Sequence, residues 1–113
     1  MSQFIYLYRG GEREASPERM QQVMQKWMSW LKELTDKGHM KDPGQPLERA
    51  GKLVKGKQKL VTDGPFAEAK DVIGGYTVVE ARDLDQAVQL SKGCPIFEGD
   101  GAVEVRPVMT MSM

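Results

Sequence analysis

The segment Phe4-Ile5-Tyr6-Leu7-Tyr8-Arg9 alternates like a strand but has no polar face until its last residue. Phe4, Tyr6 and Tyr8 point one way and Ile5 and Leu7 the other, so both sides of the strand need cover. A chain of 113 residues buries only about two-thirds of its extended surface. A strand apolar on both sides in so small a chain therefore calls for helices over one face and a different cover over the other.

The rest of the chain supplies those elements in order. Gly10-Gly11 ends the strand, and helix start signals follow at once: Ser16 to cap, Pro17 for the first helical position, Glu18 near the positive end of the dipole. Met20, Val23, Met24, Trp27, Leu31 and Leu34 recur at spacings of three and four, with Met28 and Trp30 on the margins, which predicts a helix to about Lys37. The methionines on that stripe read as core filler, and Gly38 is the expected stop. From His39 to Gly51 the chain reads as irregular, broken by Pro43, Gly44 and Pro46.

Lys52-Leu53-Val54 and Lys59-Leu60-Val61-Thr62 then flank Lys55-Gly56-Lys57-Gln58 as a hairpin, its four lysines either a solvated turn or an anion-binding rim. Val72 to Glu80 is the next strand. Asp83 and Gln86 have capping-box spacing, and Leu84, Ala87, Val88 and Ser91 make a narrow helical stripe closed by Gly93. Val103 to Arg106 alternates as a last strand.

The order β-α-β-β-α-β with an extra hairpin element predicts one α+β domain over 1–113. Its expected architecture is ferredoxin-like, an antiparallel sheet with two helices on one face. Phe4, Tyr6 and Tyr8 are the candidates for the uncovered face, which would otherwise present a large apolar patch to water. Pairing with the sheet of a second copy closes it, so the expectation is a homodimer in the form of a dimeric α+β barrel.

Lysine plus arginine and aspartate plus glutamate both number 16, giving a formal net charge of +0. That balance argues against nucleic acid or an acidic membrane as partner. No apolar run approaches the ~18 residues a spanning helix needs, and the start lacks a basic, cleavable leader pattern. Cys94 is the only cysteine and His39 the only histidine, so no disulfide framework, metal site or cofactor is expected and the reading is a cytoplasmic protein. Cys94, followed by Pro95 with no base in sequence reach, reads as buried filler.

Four stretches carry a family resemblance: Val61-Thr62-Asp63-Gly64-Pro65-Phe66-Ala67-Glu68, Gly74-Gly75-Tyr76, Asp83-Leu84-Asp85-Gln86-Ala87, and Gly101-Ala102-Val103-Glu104-Val105-Arg106-Pro107-Val108. In this order and spacing they resemble the DGPF branch of the YCII-related proteins over nearly the whole chain. The resemblance implies a dimeric α+β barrel and a compact organic ligand held in a cleft beside the sheet. It also implies an alternative, a regulatory or interaction module tied to a sigma-factor pathway. Some relatives look like enzymes with a His–Asp pair, and this chain departs from them: His39 matches no such motif position.

Asp63 is the candidate for chemistry. Partly desolvated at a strand end by Pro65 and Phe66, its carboxylate would serve as a general base or ligand acceptor; equally, it would bond the backbone two residues on and merely shape a turn. His39 is a candidate partner for Asp63, or a complement to the helix C-terminus. Glu104 and Arg106 share a face of the last strand, where Arg106 can clamp an anion or join a structural ion pair. Tyr8, Phe66 and Tyr76 are candidates to wall a pocket, or else sheet packing. Gly74-Gly75 lacks phosphate-loop context and reads as a bulge or a close backbone approach. A small-molecule binding domain with acid–base catalysis at Asp63 is the leading reading of function.

Overall fold

The computed structural model describes residues 1–10, 16–64 and 72–111. Strand β1 (Ser2–Arg9) is followed by helix α1 (Pro17–Asp36), the short β2 (Met40–Asp42), the hairpin β3 (Gly51–Lys55) and β4 (Leu60–Gly64), then β5 (Ile73–Ala81), helix α2 (Leu84–Ser91), a 3-10 turn at Pro95–Glu98 and β6 (Ala102–Pro107). The main sheet has strand order β2-β5-β1-β6, and every pairing in it is antiparallel. This is the ferredoxin-like α+β layout, with β3 and β4 standing apart as a separate two-stranded sheet. Among the described residues, no helix is long and apolar enough to cross a membrane.

Local chemistry accounts for the element ends. Ser16 accepts from the Arg19 N–H at 3.1 Å with Pro17 behind it, and Asp83 accepts from the Gln86 N–H at 2.8 Å. Both caps satisfy orphan donors of a first turn. Gly38 leaves α1 with a φ of 81°, a left-handed conformation that costs a side-chain-bearing residue about 1–2 kcal/mol.

The helix-facing side of the sheet carries Phe4, Tyr6 and Tyr8 on β1 and Thr77, Val79 and Ala81 on β5, all buried. This corrects the expectation that the aromatic side of β1 looks away from the helices. The other side carries Ile5, Leu7 and Arg9, opposite Val78, Tyr76 and Ile73 on β5. The alternation fixed which residues share a face. It did not fix which face the helices take, and the larger residues won that choice because burying rings removes more apolar area.

Two further corrections concern α1 and its exit. Trp30, expected on the margin of the apolar stripe, is in the core with Leu34, while Met20 and Met24 are 60% and 58% exposed. The stripe is rotated by the two indoles, and the methionines are not core filler. The segment read as irregular contains β2, which pairs through Met40 with Val79 on β5; three residues next to Pro43 are too short to announce a strand.

Beyond β2, Gly44 has a φ of 70° and lies hard against the backbone of Tyr76, so that a Cβ would run into the Tyr76 carbonyl. At Gly38 the same test meets open space. Gly38→Ala should therefore cost about 1–2 kcal/mol, the left-handed penalty alone. Gly44→Ala should cost about 3 kcal/mol or more, with overpacking added. Urea denaturation of the two variants checks the ordering, and equal losses would contradict it.

Candidate functional site

The helix-to-sheet contact is built from rings. Trp27 meets Tyr8 edge-on with centroids 4.7 Å apart, Trp30 lies 6.0 Å from Tyr6 in a stacked arrangement, and the two indoles cross at 5.9 Å. The Trp30 indole N–H donates to the Leu90 carbonyl at 3.3 Å, and the Tyr6 hydroxyl donates to the Ala87 carbonyl at 2.5 Å. Both α1 and β1 are thereby tied to α2. Rings this large hold α1 away from the sheet near its N-terminal half, where Val23 and the two methionines stand.

Under that half lies a cavity of about 350 Å3. Tyr8 and Thr77 form its floor, Trp27 and Leu31 its inner wall, Met20, Val23 and Met24 its roof, and Ile96 its far side. Gly74 and Gly75 contribute backbone only, which leaves room where side chains would stand. Gly75 is also a close backbone approach: a Cβ would meet the Gln45 carbonyl at 3.1 Å. A second depression of about 550 Å3, between α1 and Gly93–Pro95, is broad and open to solvent. The smaller cavity is the better enclosed and the more apolar, as ligand sites generally are.

Its polar groups sit at the two ends. At the floor the Tyr8 hydroxyl donates to Thr77 Oγ1 at 2.6 Å, and Thr77 donates on to the Pro43 carbonyl at 3.0 Å. Because Thr77 spends its proton on Pro43, Tyr8 must be the donor to Thr77, and the phenol oxygen keeps a lone pair for a guest. At the mouth Lys26 bonds Glu98 at 2.6 Å. That bond, helped by the nearby Lys26 and Arg19 charges, holds the Glu98 carboxyl below the usual carboxylate range. Arg19 and Lys26 both line this mouth beside Glu98.

The expected site residues divide among separate places. Tyr8 lines the cavity. Tyr76, Glu104 and Arg106 lie on the opposite face of the sheet, where Tyr76, Leu7 and Glu104 form one cross-strand row. There Glu104 is bound by Arg9 at 2.8 Å, and Arg106 reaches its other oxygen at 3.9 Å while staying 67% exposed. Asp63 is on the detached hairpin, 86% exposed and paired with Lys52 at 2.6 Å. His39 sits at the end of α1 with Nδ1 at 2.8 Å from the Glu80 carbonyl, and its own N–H donates to the Leu34 carbonyl. Within one chain, then, His39 is engaged with the backbone of β5 and not with Asp63. Phe66 lies outside the described residues.

Sequence reasoning missed Trp27, Met20, Met24, Thr77 and Ile96 as site residues. The signal for the first three was the helical stripe itself, read as core; the 3-10 turn that brings Ile96 over had none. Cys94 is buried, and burial pushes its thiol up to about 12, so it stays protonated and unreactive at neutral pH. Among the described residues no cluster of three or more His, Cys, Asp or Glu side chains is placed to hold a metal ion.

Residues 3–112 match the sequence profile of the YCII-related domain. The chain belongs to the YCII-related domain family. No curated protein matches this YCII-related chain in sequence. Among solved structures it is similar to 5-chloro-2-hydroxyhydroquinone dehydrochlorinase from Burkholderia phenoliruptrix AC1100, held there in complex with 2,5-dihydroxybenzoquinone. The likeness covers 92% of this chain and 90% of that one, at 17% identity and a TM-score of 0.45.

Burial raises the ionisation range of both Tyr6 and Tyr8 above the ordinary value of 10.0. Above pH 10 the unfolded chain releases these protons while the folded chain keeps them, so stability is full below that pH and falls as pH climbs past it. Alkaline titration should show the tyrosinate absorbance of these two residues appearing together with loss of far-UV ellipticity. Ionisation of Tyr6 and Tyr8 in a chain that stays folded would contradict the packing described.

Proposed function

We propose that this YCII-related domain binds a small, largely apolar organic molecule of single-ring size, carrying an anionic group, in the cavity beneath α1. The observation that carries the reading is the half-open, largely apolar cavity of about 350 Å3, with an acceptor oxygen at its floor and Arg19, Lys26 and Glu98 at its mouth. A cavity of that size is at the small end of ligand sites, which run from ~300 Å3 upward. Trp27 and Tyr8 offer ring faces to the guest, the Tyr8 oxygen accepts from a hydroxyl on it, and Lys26 and Arg19 attract its acidic group.

The finer parts of the reading rest on the sequence. We place the chain in the DGPF branch and in the cytoplasm, where a lone reduced thiol such as Cys94 is at home. We take the working form to be a homodimeric α+β barrel, supported by the apolar strip of Ile5, Leu7, Tyr76 and Val78 on the sheet face that carries no helix. Tyr76, Glu104 and Arg106 would then lie at the seam between copies, with Arg106 as an anion clamp. Asp63 remains the proposed general base or acceptor, His39 its candidate partner and Phe66 a pocket wall. The sigma-factor alternative is supported by the family resemblance alone.

Calorimetric titration with benzoate and 4-hydroxybenzoate tests the cavity. Both should bind. Tyr8→Phe should weaken 4-hydroxybenzoate about fivefold, the worth of one hydrogen bond of ~1 kcal/mol, and leave benzoate unchanged. No binding of either acid, or equal weakening of both, would contradict the assignment.

A further inference from the structure

The floor of the cavity is a hydrogen-bonded chain that can run in one direction only. Thr77 is 1% exposed on β5, and its Oγ1 bonds two groups, the Tyr8 hydroxyl at 2.6 Å and the Pro43 carbonyl at 3.0 Å. A carbonyl oxygen has no proton to give, so the single Thr77 hydroxyl proton goes to Pro43 and the Tyr8 proton goes to Thr77. Both hydroxyl protons are then used, and the Tyr8 oxygen can only accept from a guest. Without Pro43 the order would be free, since two hydroxyls alone donate either way.

The end of that chain is held by the backbone. Pro43 follows Asp42, which pairs with Val78 on β5. It precedes Gly44, which lies against the Tyr76 backbone and donates its N–H to Asp42 Oδ1 at 2.9 Å. Further on, Pro46 bridges to Gly75, and the Leu47 N–H donates to the Gly74 carbonyl at 2.8 Å. The segment is thus fastened along β5 on both sides of Pro43, which keeps its carbonyl on Thr77. Thr77 is itself β-branched and stiff at χ1, so neither partner turns away readily to let the chain reverse.

We infer that Thr77 is a positioning residue that sets the specificity of the cavity. Acting through Tyr8, it makes the floor an acceptor, and so selects guests with a hydrogen-bond donor, a hydroxyl or an amine, on the ring position that reaches the floor. A guest whose polar atom there is a carbonyl oxygen meets a second lone pair and gains no bond. This deepens the ligand reading proposed above and rests on it.

Calorimetric comparison of benzoate, 4-aminobenzoate and 4-formylbenzoate tests it. On the native protein 4-aminobenzoate should bind about fivefold tighter than benzoate, the worth of one neutral hydrogen bond, and 4-formylbenzoate no tighter than benzoate. Equal gains for the two para groups would show the phenol donating and overturn the inference. That comparison holds even where a variant fails to fold. In Thr77→Val the Tyr8 proton loses its acceptor and is free for the guest, so 4-formylbenzoate should now gain about fivefold over benzoate. Thr77→Ser keeps the hydroxyl and should keep the native order. A valine variant that weakens all three acids and strengthens none would overturn the role of Thr77. Native protein that binds benzoate without discriminating the para groups would do the same and leave the cavity standing; failure to bind any of the three would remove the cavity reading as well.

Discussion

The packing of Trp27 and Trp30 on Tyr6 and Tyr8 sets the distance between α1 and the sheet, and the remaining features follow from that distance. Four rings in mutual contact form a rigid spacer that gains more from burial than aliphatic residues would. The spacer lies over the middle of β1. Towards the N-terminal half of α1 the side chains beneath the helix thin out to Tyr8 and Thr77, and β5 beyond them supplies only Gly74 and Gly75. Interiors close-pack wherever side chains allow, so an apolar gap lined by backbone and flexible methionines is a consequence of which residues the chain puts there.

Much of the fold was legible in the residues. Ser16-Pro17 and Asp83 with Gln86 marked both helix starts, and each makes the expected cap bond. Strand alternation in β1 and β6 was clear enough to group Tyr6 with Tyr8 and Glu104 with Arg106. What could not be read was the sense of each grouping. Period-two alternation separates two sets of residues but is silent on which set meets the helices. The site suffered most from this: Tyr8 was grouped with Tyr76 by residue type, yet odd and even positions of paired strands put them on opposite faces. β2 was hidden for a different reason, since its three residues are held by Met40 against Val79 and by the Gly44–Tyr76 approach, both long-range contacts.

The two faces of the sheet thus have separate tasks. The helix face holds the core and, at one end, the cavity with its phenol oxygen and the Lys26–Glu98 pair at its mouth. The open face holds an apolar strip and the Arg9–Glu104–Arg106 group, and answers the requirement visible in the first strand, that both sides be covered. Asp63 stands apart from both faces within one chain, exposed on the hairpin and paired with Lys52.

The central claim, that the space under α1 receives a ligand, is tested most directly by carbon-13 methyl spectra of the methionines during titration with 4-hydroxybenzoate. Met20 and Met24 roof the cavity, whereas Met109 and Met111 lie beyond β6, exposed. Saturable shifts are expected at Met20 and Met24 and none at Met109 and Met111. Shifts at none of them, or equally at all four, would mean that the cavity is not a binding site.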